Sequence, residues 1–196
     1  MFIRSERLFL RPGWPEDWAE LHALFDDEAV VRNLARARWP YRPDDARAFA
    51  GLPQAPRHPH FFITQPGAHG ARLIGCAGLV EPDVGAEAGT VGLAYWIGQP
   101  FWTRGFATEA VRALLPVART LGHRRVVASV FADNPAAARV LAKVGLQPVG
   151  GVHACFNPAR GHDAPAQLHA IDIDLAGNCN CTGVAPAAKS ALIRAA

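Results

Sequence analysis

Apolar residues recur along this chain with two different periods. Between residues 15 and 26, Trp18, Leu21, Leu24 and Phe25 fall at helical spacing with Asp and Glu between them, and Pro15 suits a first helical turn, where no amide donor is needed. A second helix is expected around Asp44 to Ala50, and a third over residues 106 to 121, whose stripe is Ala107, Ala110, Val111, Leu114, Leu115, Ala118 and Leu121. Pro116 inside that stripe removes one ladder bond and predicts a kink, and Gly122 is the expected stop. Asn134-Pro135 reads as a cap followed by a first helical residue, Val140, Leu141 and Val144 supply the stripe, and Gly145 ends it. Short apolar runs predict strands at Leu8–Leu10, Phe61–Thr64, Leu73–Val80, Val91–Ile97, Val126–Phe131, Leu146–His153 and Leu168–Leu175. Gly, Pro and Asp clusters separate them, and residues 53–60 read as a loop. In the last strand Ile171, Ile173 and Leu175 alternate with Asp172 and Asp174, the pattern of a half-exposed strand.

The resulting order, β-α-α-β-β-β-α-β-α-β-β, predicts one α+β domain over residues 1–176, with helices on the faces of a mixed sheet. Residues 177–196 are small, lose all pattern and are expected to form a flexible tail. The chain's 196 residues suit one domain, and 50% hydrophobic with 19% charged residues describes a globular protein. Its net charge of +3 is spread along the length, which argues against a nucleic-acid partner. No apolar run is long enough to cross a bilayer, and the opening residues lack the apolar region of a signal peptide, so neither membrane nor export is expected and the cytoplasm is. Cys76 lies in an apolar run, as a core thiol would. Cys179 and Cys181 have one residue between them, closer than zinc-site spacing, and no metal is expected.

Chemistry concentrates at Tyr95-Trp96-Ile97-Gly98-Gln99-Pro100-Phe101-Trp102-Thr103-Arg104-Gly105-Phe106-Ala107-Thr108-Glu109-Ala110. A strand ends, a short turn follows, and a helix begins at a glycine. The first turn of a helix carries unpaired amides and partial positive charge, which suits a pyrophosphate. Gly105 permits close approach, Ala107 keeps the floor low, and Arg104 adds charge.

That segment and the later Asn134-Pro135-Ala136-Ala137-Ala138-Arg139-Val140-Leu141-Ala142-Lys143-Val144-Gly145-Leu146 together resemble the GNAT superfamily of N-acetyltransferases. Trp102 to Ala107 lie over its pyrophosphate loop, Gln/Arg-x-x-Gly-x-Gly/Ala, and residues 134–146 over its Asn-x-x-Ser-x-x-x-x-x-Lys-x-Gly-Phe helix. With Ser5-Glu6-Arg7-Leu8-Phe9-Leu10-Arg11-Pro12 and Tyr95-Trp96-Ile97, the likeness covers about residues 4–176 and is similar to the RimJ and RimL branch. It implies a GNAT-like fold: a mixed, mostly antiparallel sheet of about seven strands, splayed between the fourth and fifth, with about four helices. It further implies acetyl-coenzyme A as co-substrate and direct attack by a primary amine on the thioester, with no cysteine nucleophile. The acceptor would be a protein N-terminus or a small molecule. On this reading the backbone of Trp96 and Ile97 pairs with the pantetheine, the amides of Arg104, Gly105, Phe106, Ala107 and Thr108 hold the pyrophosphate, and Asn134 contacts the cofactor.

Departures from what relatives often carry bear on the site. Thr103 stands where relatives often have Gly, a change that is tolerable if the residue keeps a negative φ, since Gly105 is present; Ala137 replaces a Ser near the thiol, and Gly92 replaces a carboxylate that often serves as base. The catalytic residues therefore stay unassigned, with Glu81, Glu87 and Tyr95 the nearest alternatives and a structural role favoured for each. Glu109 in the first helical turn is expected to complement the helix dipole, and His153 to face either a cleft or solvent. In this branch the acceptor cleft would lie between Trp18–Trp39 and His153–Gln167. Trp39-Pro40-Tyr41 would be its aromatic wall or simply core, and Arg160 would meet an acidic acceptor or nothing. The same residues fit a non-catalytic acyl-coenzyme A sensor, which the changes at Gly92 and Ala137 favour. A dinucleotide-binding domain is set aside because Gly105-Phe106-Ala107 lacks its glycine spacing. A homodimer is implied by resemblance alone.

Overall fold

The computed structural model describes residues 1–68, 70–82 and 86–173. In chain order the strands are β1 (Ile3–Arg4), β2 (Phe9–Arg11), β3 (His60–Gly67), β4 (Gly70–Val80), β5 (Thr90–Ile97), β6 (Arg125–Phe131), β7 (Gln147–Asn157) and β8 (His162–Asp172). The helices are α1 (Trp18–Phe25), α2 (Glu28–Val31), α3 (Pro43–Ala50), α4 (Phe106–Thr120) and α5 (Pro135–Lys143). All strands join one sheet in the order β1-β2-β3-β4-β5-β6-β8-β7. Every pairing is antiparallel except β5 with β6, which is parallel.

Among the described residues there are eight strands and five helices, one of each beyond the sequence expectation. The strand β1 is two residues long, too short for any alternation to register, and exists because it pairs with β2 through Ile3↔Leu10 and Arg4↔Phe9. The single turn α2 starts where the Asp27 side chain accepts from the Ala29 N–H at 2.9 Å, a local cap in a run too short for a stripe. Helix α4 runs through Pro116 to Thr120. Both glycine stops hold: Gly122 (φ +82) and Gly145 (φ +97) are left-handed, and the residues after them close six-residue turns, His123 N–H to Ala118 and Leu146 N–H to Leu141. The expected tail at 177–196, Leu175 and the cysteines Cys179 and Cys181 lie outside the described residues.

The sheet separates two apolar layers. One face packs Leu8, Leu10, Phe61, Ile63, Val91, Leu93, Ile97, Val126, Ala128 and Val130 against Phe106, Ala110, Val111 and Leu114 of α4 and Leu141 of α5. On the other face Phe62, Leu73, Cys76 and Trp96 pack against Leu21 and Phe25 of α1, Val30 and Val31 of α2, and Ala46 and Ala50 of α3. Alternation along β4 changes parity once. Ile63 pairs with Gly75 but Thr64 with Leu73, so Ile74 is an extra residue on β4, and the Leu73 N–H at this bulge donates to Glu20 of α1 at 2.8 Å. Cys76 is buried, which pushes its thiol pKa up to about 12 and keeps it an apolar filler at neutral pH.

Candidate active site

The parallel pair is short. Thr90, Val91 and Gly92 lie opposite Arg125, Val126 and Val127, and beyond that point the strands part while β5 continues to Ile97 and β6 to Phe131. The resulting gap opens toward the carboxyl ends of both strands. Because the strands are parallel, the helices that follow them, α4 and α5, both begin at this open end. Two helix N-termini therefore border one gap.

Main-chain direction along β5 follows from its pairing with β4. The Gly98 N–H donates to the Ile74 carbonyl at 2.9 Å, and a Cβ on Gly75 would collide with the Trp96 carbonyl oxygen, so Trp96 and Gly98 face β4. Alternation then turns the main chain of Tyr95 and Ile97 toward the gap. The expected pair Trp96 and Ile97 is thus split: the polar backbone of Trp96 serves the sheet, and its buried side chain packs edge-on against Phe25, ring centroids 4.7 Å apart. The Ile97 carbonyl accepts the indole N–H of Trp102 at 2.6 Å.

The turn into α4 holds two left-handed residues, Thr103 at φ 61 and Gly105 at φ 81. Thr103 therefore does not meet the condition of a negative φ under which a threonine here comes without strain. Its conformation costs about 1–2 kcal/mol for a residue with a Cβ, and it is held by the bond from Thr103 Oγ1 to the Trp102 carbonyl at 2.7 Å. The first helical bond runs from the Glu109 N–H to the Gly105 carbonyl at 3.1 Å. The backbone N–H groups of residues 103 to 108 make no hydrogen bond among the described residues. This row of donors includes every loop amide expected to meet a pyrophosphate. At the second N-terminus, Asn134 caps α5 by accepting from the Ala137 N–H at 3.1 Å, which leaves its Nδ2 without a partner among the described residues.

Glu109 does more than complement the dipole. Its carboxylate accepts from Ser5 Oγ at 2.7 Å, from the Arg7 N–H at 2.7 Å and from Arg7 Nε at 2.8 Å, tying the N-terminal segment to the start of α4. No sequence signal links positions so far apart.

A likeness to known proteins decides what this gap belongs to. The family described as acetyltransferase (GNAT) domain matches residues 7–147, most of the chain. The chain belongs to the GNAT acetyltransferases. Among its relatives is the N-acetyltransferase YoaA of Bacillus subtilis, 29% identical over 155 residues, covering 76% of this chain and 84% of that one. Solved structures with the same fold include a GNAT-family acetyltransferase from Bacillus anthracis, TM-score 0.74 at 22% identity, covering 88% of this chain and 98% of that one. RimJ of Mycobacterium smegmatis, in complex with a CoA-disulfide, has a TM-score of 0.72 at 20% identity, covering 88% and 87% of the two chains. As a GNAT enzyme the protein carries out acetyl transfer with acetyl-CoA as co-substrate.

Against that background the departures acquire physical reasons. A Cβ on Gly92 would lie 2.7 Å from Val80 Cγ2 and 3.1 Å from the Val80 carbonyl, so a larger residue here would require Val80 at the end of β4 to shift. Glu81 and Glu87 flank the closed end of the gap, away from the loop amides; Glu81 is exposed and meets His58 at 3.3 Å. Tyr95 sends its hydroxyl to the Ala137 carbonyl at 3.2 Å, beside the position where relatives carry Ser, and burial raises its pKa, so the group stays protonated.

On the face shared with α1–α3, the register sets Ser129 of β6 just past the point where β5 and β6 part. Its Oγ lies 3.3 Å from Nε2 of His153 on β7. Of the two readings of Trp39-Pro40-Tyr41, the packing fits core: Tyr41 packs on Phe25 with centroids 4.4 Å apart, and Trp39 packs against the same cluster. Arg160 is already engaged. It makes a two-pronged pair with Asp133 at 2.8 and 2.9 Å and donates from Nε to the Arg32 carbonyl at 2.8 Å, while Asn157 Nδ2 holds the carbonyls of Arg32 and Leu34. The hydrogen bonds from Arg160 hold the Asp133 carboxyl below its ordinary pKa, and burial opposes them only in part. These contacts dock the segment after α2 onto the turn between β7 and β8.

Proposed function

We propose that this GNAT enzyme transfers the acetyl group of acetyl-CoA to a primary amine by direct attack in a ternary complex. The acceptor is a protein N-terminus or a small-molecule amine. The observation that carries this is the row of unpaired amides from residues 103 to 108 at the N-terminus of α4, beside a gap walled by the main chain of β5. Amides of Arg104, Gly105, Phe106, Ala107 and Thr108 bind the pyrophosphate, the pantetheine pairs with the main chain of Tyr95 and the N–H of Ile97, whose carbonyl serves Trp102, and Asn134 contacts it from the other side.

The amine enters from the α1–α3 face. The Ser129–His153 pair supports removal of a proton from its ammonium, with imidazole as the acceptor. The freed nitrogen attacks the thioester carbon, the C–S bond breaks, and the second nitrogen proton goes to the thiolate. Positioning of the two reactants supplies the remaining rate.

Calorimetric titration with acetyl-CoA, for the wild type and Gly105→Glu, tests the first half of this reading. Binding that the variant loses supports it; a folded wild type that binds nothing overturns it. A panel of peptides with free N-termini, polyamines and amino-acid derivatives, with release of the CoA thiol as readout, then tests the transfer. Tight acetyl-CoA binding without thiol release across the panel would count against the proposed acceptors.

A further inference from the structure

The N-terminal segment reaches the phosphate loop through one side chain. Arg7 spends Nε and Nη2 on the Glu109 carboxylate, both at 2.8 Å, and donates from Nη1 to the Arg104 carbonyl at 3.1 Å. Its guanidinium also lies over the Phe106 ring at 4.8 Å, and Nη2 is 3.5 Å from where a Cβ on Gly105 would be. Arg104 and Phe106 on either side of Gly105 are thus in contact with a side chain from the far end of the sequence.

The contact with Arg104 matters most. In a trans peptide the carbonyl and the next N–H point in opposite directions. With the Arg104 oxygen held on the Arg7 side, the Gly105 N–H is turned the other way, and the same contact keeps that carbonyl from pointing at a bound anion. The turn needs such support. It contains a threonine at φ 61, a conformation that a residue with a Cβ relaxes unless its surroundings hold it. Glu109 sets the guanidinium in its turn, and Ser5 and the Arg7 N–H complete the coordination of the carboxylate.

We propose that Arg7, oriented by Glu109, is a positioning residue that presets the pyrophosphate loop for acetyl-CoA. The inference rests on the assignment of that loop made above and deepens it: cofactor affinity depends on a residue outside the loop and outside the gap. The free enzyme already holds the binding conformation, so the ordering cost is met on folding rather than on binding.

The test compares two ligands that share the acetylated pantetheine arm, only one of which carries the pyrophosphate and the nucleotide beyond it. Acetyl-CoA is titrated by calorimetry, and S-acetylpantetheine, which lacks the pyrophosphate together with the adenosine 3'-phosphate, by ligand-observed NMR, which reads weak affinities. Wild type, Arg7→Met, Arg7→Lys and Glu109→Gln are compared, each first checked for cooperative thermal unfolding. Arg7→Met is expected to weaken acetyl-CoA by about 30-fold, the size of a lost charge-assisted hydrogen bond, and to leave S-acetylpantetheine unchanged. Glu109→Gln shifts the same ratio less, and Arg7→Lys recovers part of it, because an ammonium can reach the Arg104 carbonyl but cannot fork onto Glu109. Equal weakening of both ligands would overturn the proposal by making the clamp merely structural, and so would an unchanged acetyl-CoA affinity in Arg7→Met. If Arg7→Met fails to fold, Arg7→Lys and Glu109→Gln decide the matter by the same ratio. A folded wild type that binds no acetyl-CoA would instead overturn the loop assignment itself.

Discussion

The Tyr95 hydroxyl on β5 donates to the Ala137 carbonyl on α5, 3.2 Å away. The two residues belong to the two arms that diverge around the gap, so this bond links the arms where the parallel pairing has ended. Tyr95→Phe should keep the ring packing and lose about 1 kcal/mol of stability, read by urea denaturation. A much larger loss would mean that the hydroxyl fixes the spacing of the arms and not only one bond.

Thr103 carries a left-handed φ that a β-branched residue tolerates poorly. Thr103→Gly removes roughly 1 kcal/mol of strain and should raise Tm by about 2–4 °C for a chain of this size. Calorimetry checks this. A lower Tm would show that the bond from Thr103 Oγ1 to Trp102 outweighs the strain.

Glu109 links stability to pH. Burial by itself would raise its pKa, but the Arg7 N–H, the Ser5 hydroxyl and the Arg7 guanidinium more than offset this and leave it below its ordinary value of 4.5. A carboxylate with a depressed folded pKa stabilises the fold above its unfolded pKa and loses that contribution as pH falls through the folded one. The difference in Tm between wild type and Glu109→Gln should therefore be full at neutral pH and shrink on acidification below 4.5. A difference that does not change with pH would argue against this charge pairing.

For any amine that the acceptor panel finds to be acetylated, His153→Gln should lower kcat by roughly 100-fold and leave the KM for acetyl-CoA unchanged. Ser129→Ala should have a smaller effect in the same direction. Unaltered kcat in both variants would remove this pair from the reaction and point to proton loss through water.

Several site features could be read along the chain because they are local. Asn134 caps α5 through the Ala137 N–H three residues on, and Gly122 and Gly145 end their helices in left-handed conformations. Gly105 precedes α4 with its row of unpaired amides for the same reason: capping and turn chemistry act over a few residues. Other features needed partners from distant segments. The Glu109 carboxylate collects donors from Ser5 and Arg7, and Ser129 meets His153 across β8. The backbone sign at Thr103 escaped too, since the residue adopts against its own preference a conformation stabilised by its surroundings.

The sequence by itself determined the α+β class, nearly every element and the glycine-led helix start, because periodicity and capping are short-range and repeat along the chain. Tertiary structure alone decided how long β5 and β6 stay paired, which main-chain groups of β5 face the gap, and where Arg7 and Glu109 meet. Strand parting and side-chain convergence depend on where the sheet brings remote residues together, and a linear pattern carries no term for that distance.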